Sequence, residues 1–188
     1  MHAILVKDVV TTKFACRLIG VTSFIILTAL GAFVRIPLPF TPVPLTLQTM
    51  FVLLSGAFLG KRLGAFTQVL YLALGISGIS VFSAAQSGWY YLVGPTGGYL
   101  LGFIAAAMFV GFFARLGKMS FTSIVVLFCI GDGIILGFGM LWLTLVLKYD
   151  LVSAFALGVM PFVVGDCLKV LIAATLYQRL QNRAREIF

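Results

Sequence analysis

Long apolar runs separated by short polar breaks fill this chain, and they predict six membrane-scale helices. The first run spans about Ala15 to Val34 and stops at Ile36-Pro37-Leu38-Pro39-Phe40-Thr41-Pro42-Val43-Pro44. No helix crosses that cluster, because proline lacks an amide donor and pushes its predecessor out of the helical region. The second run covers about Leu45 to Leu59 and ends at Gly60-Lys61-Arg62. At about 1.5 Å per residue it falls short of a hydrocarbon core of roughly 30 Å, so it must tilt or the preceding loop must dip inward. The remaining runs are Leu63 to Val81, Thr96 to Ala114, Phe121 to Leu147 and Ser153 to Tyr177. The expected fold is all-α, a polytopic six-transmembrane-helix bundle forming a single domain over residues 1–188.

Composition names the solvent. The 188 residues are 62% hydrophobic and 10% charged, with a mean hydropathy of +1.17, whereas a soluble domain is about a quarter charged. A lipid bilayer is therefore the expected surrounding. The net charge of +8 would suggest nucleic acid in a soluble protein, but here the basic residues cluster between apolar runs and act as topology signals. Lys7, Lys13, Arg17, Lys61, Arg62, Arg115, Lys118, Arg179, Arg183 and Arg185 fall on one side of the six-run map, and only Arg35 and Lys148 on the other. Cytoplasmic loops carry the basic excess, so both termini are expected in the cytoplasm. The N-terminal run lacks a cleavage pattern and reads as a retained helix. Cys16, Cys129 and Cys167 lie singly in apolar segments and read as packing residues.

Three charges sit deep in predicted spans: Asp132, Asp166 and Lys169. Each costs about 2.5–3.5 kcal/mol at a helix centre, so each is expected to face the protein interior. Asp166 and Lys169 are spaced i, i+3 and share one helix face, where they can pair. They either neutralise one another or bind something polar in an apolar cavity. Pro161, five residues before Asp166, can free a backbone carbonyl and kink the last span. Asp132, flanked by Gly131 and Gly133, reads equally as a packed carboxyl or a ligand contact. Near the outer face lie Thr46, Gln48, Gln68, Gln86 and Tyr99, and Trp89, Tyr90 and Tyr91 fall where an aromatic belt or a pocket wall is expected. Such a set suits a small amphipathic ligand with an apolar body.

Reactive constellations are missing. The single histidine is His2, and Gly94-Pro95-Thr96-Gly97-Gly98 lacks the lysine of a phosphate-binding loop. An ATP-driven process would need its ATPase on another polypeptide. Two other readings stay open: a self-sufficient carrier or channel, and a lipid-modifying membrane enzyme using Asp132 or Asp166 as acid or base.

Three blocks of the chain are similar to the BioY-like biotin-binding components of energy-coupling-factor transporters. They are the stretch Ile36 to Thr49, the stretch Gly94 to Phe103, and Pro161-Phe162-Val163-Val164-Gly165-Asp166-Cys167-Leu168-Lys169. Weaker similarity extends the match to about residues 20–178. The resemblance implies a substrate-binding component in a prokaryotic plasma membrane, with biotin as transported ligand and no cofactor. It also implies a transmembrane coupling subunit and two ATPase subunits as partners, and no nucleic acid. The expected biotin site comprises Asp166, Lys169, Tyr99, Gln48, Thr46, Tyr90 and Gly98, with Pro37, Pro39, Phe40, Pro42 and Pro44 in a gating loop above it. Either the ureido ring or the carboxylate could meet Lys169. The first helix departs from the small-residue docking face of such components, since Cys16 and Gly20 are followed in register by Phe24.

Overall fold

The computed structural model describes the backbone of residues 2–187 and the side chains of residues 13–183, Arg185 and Ile187. Lys7 of the charge count and His2 lie outside the described side chains. The elements run α1 (His2–Phe33), β1 (Arg35–Ile36), β2 (Leu45–Thr46), α2 (Gln48–Ile76), a 3₁₀ turn (Ser83–Ala85), α3 (Trp89–Val93), α4 (Gly97–Phe113), α5 (Phe121–Leu145), α6 (Leu151–Gly158) and α7 (Val163–Ile187).

The proline cluster ends α1 as expected, but its flanks pair. β1 and β2 form an antiparallel ribbon with Arg35 opposite Thr46 and Ile36 opposite Leu45. The second helix therefore starts at Gln48 rather than Leu45. Within it Gly60 adopts φ 82, ψ 173, a non-helical conformation open to a residue without Cβ. The chain reverses there. A Cβ on Gly64 would lie 2.8 Å from Gly56 Cα, Gln68 Nε2 donates to Ser55 Oγ at 3.0 Å, and Gln48 Nε2 donates to Tyr71 OH at 2.7 Å. These contacts pair positions on either side of Gly60, so the two arms run antiparallel. The Arg115 guanidinium donates to Phe58 O at 2.8 Å, satisfying a carbonyl that the first arm leaves open. The second arm ends at Ile76, five residues before the expected boundary.

By length and apolar composition, Lys13–Phe33, Gln48–Ile76 and Phe121–Leu145 could each cross a membrane, and α6 with α7 could form a fourth, bent span. The reversal at Gly60 divides the second of these into arms of roughly 18 and 24 Å at about 1.5 Å per residue. α4, at 17 residues, lies buried between the α2 hairpin and α5, close enough that a Cβ on Gly111 would stand 2.5 Å from Gly60 C. Small residues permit such backbone approach in lipid.

The last span is broken as Pro161 suggests. α6 and α7 meet at 49°. Proline cannot donate to Leu157 O, and that carbonyl accepts from Thr41 Oγ1 instead, at 2.7 Å. The neighbouring Gly158 O accepts from Tyr99 OH, also at 2.7 Å. Both orphaned acceptors are thus satisfied by groups from other elements.

The outer surfaces of α1 and α7 are apolar, with Leu18, Ile26, Val164 and Leu168 all exposed. Cys129 on α5 and Cys167 on α7 are also exposed, which corrects their reading as packing residues; Cys16 is half-buried, and all three are free thiols. Arg17 and Arg185 both lie within electrostatic reach of Arg115 at one end of the bundle. Arg185 donates to Ala114 O at 2.9 Å and also to Gly117 O, clamping the α4–α5 connection to the end of α7.

Candidate functional site

Asp166 lies in the first turn of α7, just past the break, and Lys169 follows one turn later. Lys169 Nζ stands 2.5 Å from Asp166 Oδ1, and both side chains are about 95% buried (relative exposures 6% and 5%). The i, i+3 spacing therefore produces the expected pair. The aligned hydrogen bonds of the ammonium go elsewhere, to Thr46 O at 2.8 Å and Thr49 Oγ1 at 3.2 Å. An ammonium has three donors, and here three partners surround them. Asp132, buried on α5, packs against Asp166 with the two carboxyls in hydrogen-bond reach. Its partner was invisible in sequence because it comes from another helix.

Asp166 and Lys169 form one end of a cavity of about 50 Å³. Thr46, Gln48, Tyr99, Asp166, Lys169 and Pro44 of the expected set line it, with apolar walls from Val43, Leu100, Phe103, Leu136 and Phe162. Thr46 Oγ1 donates to Gln48 Oε1 at 3.2 Å, and Tyr71 OH, which accepts from Gln48, donates to Val81 O at 2.9 Å. The polar wall is thereby held in register across three elements. Tyr99 contributes its ring rather than its hydroxyl, which is committed to Gly158 O.

Tyr90 and Gly98 do not line this inner cavity. Tyr90 is 91% exposed, and its neighbour Tyr91 lines the cavity instead. Tyr91 is turned inward by stacking on buried Phe82, with centroids 4.9 Å apart and planes at 15°. Gly98 packs against Phe138 and Trp142 of α5, where a Cβ would lie 2.5 Å from Phe138 O; it sets helix spacing. Pro37, Pro39 and Phe40 are exposed at the tip of the proline loop. Thr49, Ser83, Tyr91 and Thr96 are cavity residues beyond the expected set. Thr49 and Thr96 had a signal, lying inside the first and second motif blocks, and Tyr91 belongs to the aromatic run read as a belt or pocket wall, whereas Ser83 had none.

Above the cavity opens a larger depression of about 620 Å³, bounded by Arg35, Pro42, Gln86 and Tyr90. Pro44, Ser83, Tyr91 and Thr96 line both spaces and form the partition between them. The turn beside it holds Ala84 and Ala85 at φ 65 and 55, a left-handed conformation uncommon for residues with Cβ.

The pattern described as BioY family matches residues 6–186. A biotin transporter BioY from Thermotoga maritima is 40% identical over 166 residues, covering 88% of this chain and 96% of the relative. A probable biotin transporter BioY from Pyrococcus horikoshii is 38% identical over 162 residues, covering 86% and 94% respectively. A crystal structure described as the S-component for biotin from an ECF-type ABC transporter aligns with a TM-score of 0.79 over 97% of this chain and 94% of that one, at 23% identity. That likeness is one of fold.

Proposed function

Because this chain belongs to the BioY family, we propose that it binds biotin with high affinity and serves as the membrane-embedded substrate-specificity component of an energy-coupling-factor transporter. It is a transporter component rather than an enzyme. The observation that carries the site is the buried Asp166–Lys169 pair at one end of an otherwise largely apolar cavity. A bicyclic ring fits against Phe103, Leu136 and Phe162, while polar atoms of the ligand meet the charged end. Biotin is the cargo, and the chain needs no cofactor to hold it.

The proline loop closes the site toward the outside. Val43 and Pro44 form part of the cavity wall, and Thr41 ties the loop to α6. The loop is the gate through which biotin enters and leaves. Six spans with both termini cytoplasmic accommodate the α2 hairpin, and the basic cluster around Arg17, Arg115 and Arg185 marks the cytoplasmic end in a prokaryotic plasma membrane. Transport then draws on a coupling subunit and two ATPase subunits supplied as separate chains.

The deciding experiment is calorimetric titration of biotin into the purified, detergent-solubilised chain, with thiamin and riboflavin as controls. Tight binding restricted to biotin is expected. A folded chain that binds none of the three overturns the reading, and biotin accumulation in proteoliposomes holding this chain alone would make it a self-sufficient carrier instead.

A further inference from the structure

We propose that the outer depression is a carboxylate subsite in which Arg35 holds the acidic tail of the ligand, while the ring end occupies the inner cavity. This rests on the reading of the cavity as a biotin site and assigns the ligand's direction within it.

Charge excludes the opposite direction. A carboxylate at the inner end would meet an ammonium that already donates to Thr46 O and Thr49 Oγ1 and is ion-paired with Asp166. It would also stand beside the carboxyl of Asp166, which already has Asp132 as a neighbour. Like charges in a desolvated site disfavour one another strongly. A neutral group with both donors and acceptors, such as a cyclic urea, meets no such penalty there.

Volume points the same way. A cavity of about 50 Å³ is well below the roughly 300–1,000 Å³ that small-molecule sites offer, so a ring carrying an acid chain extends beyond it. The continuation is the outer depression, reached across the layer formed by Pro44, Ser83, Tyr91 and Thr96. Among the described residues, Arg35 is the one charged side chain that lines it. Guanidinium binds carboxylate through two parallel, charge-assisted hydrogen bonds.

The ribbon sets the spacing between the two charged ends. Arg35 pairs with Thr46 across β1 and β2, and Thr46 O accepts from Lys169. Ring recognition and tail recognition therefore hang from facing positions of one two-stranded element. Ligands of this class share a neutral polar head, an apolar middle and a terminal acid.

The test compares biotin with biotinamide, which differs in lacking the tail's charge, by calorimetric titration at low salt into the wild-type chain and Arg35→Gln. The wild type should favour biotin by about tenfold, the range expected for charge-assisted hydrogen bonds. Arg35→Gln should abolish that preference while leaving biotinamide affinity within about twofold, which also shows that the variant is folded. Arg35→Lys should restore part of it. An unchanged preference in Arg35→Gln, or a preference lost in Lys169→Met instead, overturns the subsite. Failure of the folded wild type to bind either compound would overturn the biotin reading itself, and so distinguishes the two.

Discussion

Removing Lys169 alone should damage the fold more than removing the whole ion pair. Asp166 and Lys169 are both buried, so Lys169→Met strands a carboxyl away from water beside the second acid, Asp132. Breaking a buried pair from one side costs about 3–5 kcal/mol, whereas replacing both partners with neutral groups of similar volume is near neutral. At about 2–4 °C per kcal/mol for a chain of this length, Lys169→Met should melt about 6–20 °C below wild type. The double variant Asp166→Asn with Lys169→Met should recover to within about 5 °C, since the new amide can donate to Asp132. Biotin binding should not recover. Two hydrogen bonds to charged groups, each worth about 1.5–3 kcal/mol, amount to at least hundredfold in affinity. Thermal unfolding followed by tryptophan fluorescence, and calorimetry on the same samples, measure the two effects separately. A double variant as unstable as the single one would refute the electrostatic argument. A double variant that binds biotin within tenfold of wild type would refute the placement of the ligand.

Tyr99→Phe should lower stability by about 1–3 kcal/mol, because Gly158 O loses its buried donor, yet leave biotin affinity within about threefold because the ring wall remains; melting and titration check both. Thr41→Val releases the proline loop from Leu157 O, and loss of one hydrogen bond of about 1 kcal/mol should speed biotin dissociation about fivefold in stopped-flow measurements if the loop gates the site. At the start of α6, the Ser153 hydroxyl and amide hold the exposed Asp150 carboxyl below the usual carboxylate range. A depressed carboxyl stabilises above its unfolded pKa and loses that contribution as pH falls through its folded value. Exchange protection of the Ser153 amide should therefore fall in acid, and Asp150→Asn, which still caps, should remove the pH dependence.

Local signals were legible and cross-element ones were not. The C-terminal end of α1 and both ends of α4 lie within a few residues of expectation because prolines and glycines mark them directly in the chain, and α5 ends within two residues of expectation at the polar turn Lys148-Tyr149-Asp150. The Asp166–Lys169 pair was equally readable, since i, i+3 spacing on a helix brings side chains together without reference to anything else. The β1–β2 ribbon was not, because Arg35 and Thr46 become neighbours only when the intervening loop closes. Trp89, Tyr90 and Tyr91 are three rings in succession, and no periodicity says which turns inward. The choice of Tyr91 over Tyr90 follows from its stacking on Phe82. The contact between Asp132 and Asp166 likewise depends on how α5 meets α7, which a single chain of letters does not encode.

Pro161 joins these elements into one device. An uninterrupted helix would keep the carbonyls of Leu157 and Gly158 for itself and leave the hydroxyls of Thr41 and Tyr99 without their acceptors. Because the helix breaks, Leu157 O anchors the proline loop and Gly158 O anchors the ring of a cavity wall. The same break starts α7 just before Asp166, which puts the pair level with Thr46 at the base of the ribbon. Lys169 therefore has two roles: it neutralises Asp166, and it holds the strand from which the loop departs. A ligand group that draws on Lys169 competes with Thr46 O, so occupancy of the inner cavity acts directly on the base of the loop above it. In this arrangement the loop, the wall and the charged floor of the cavity cannot be positioned independently of the bend between α6 and α7.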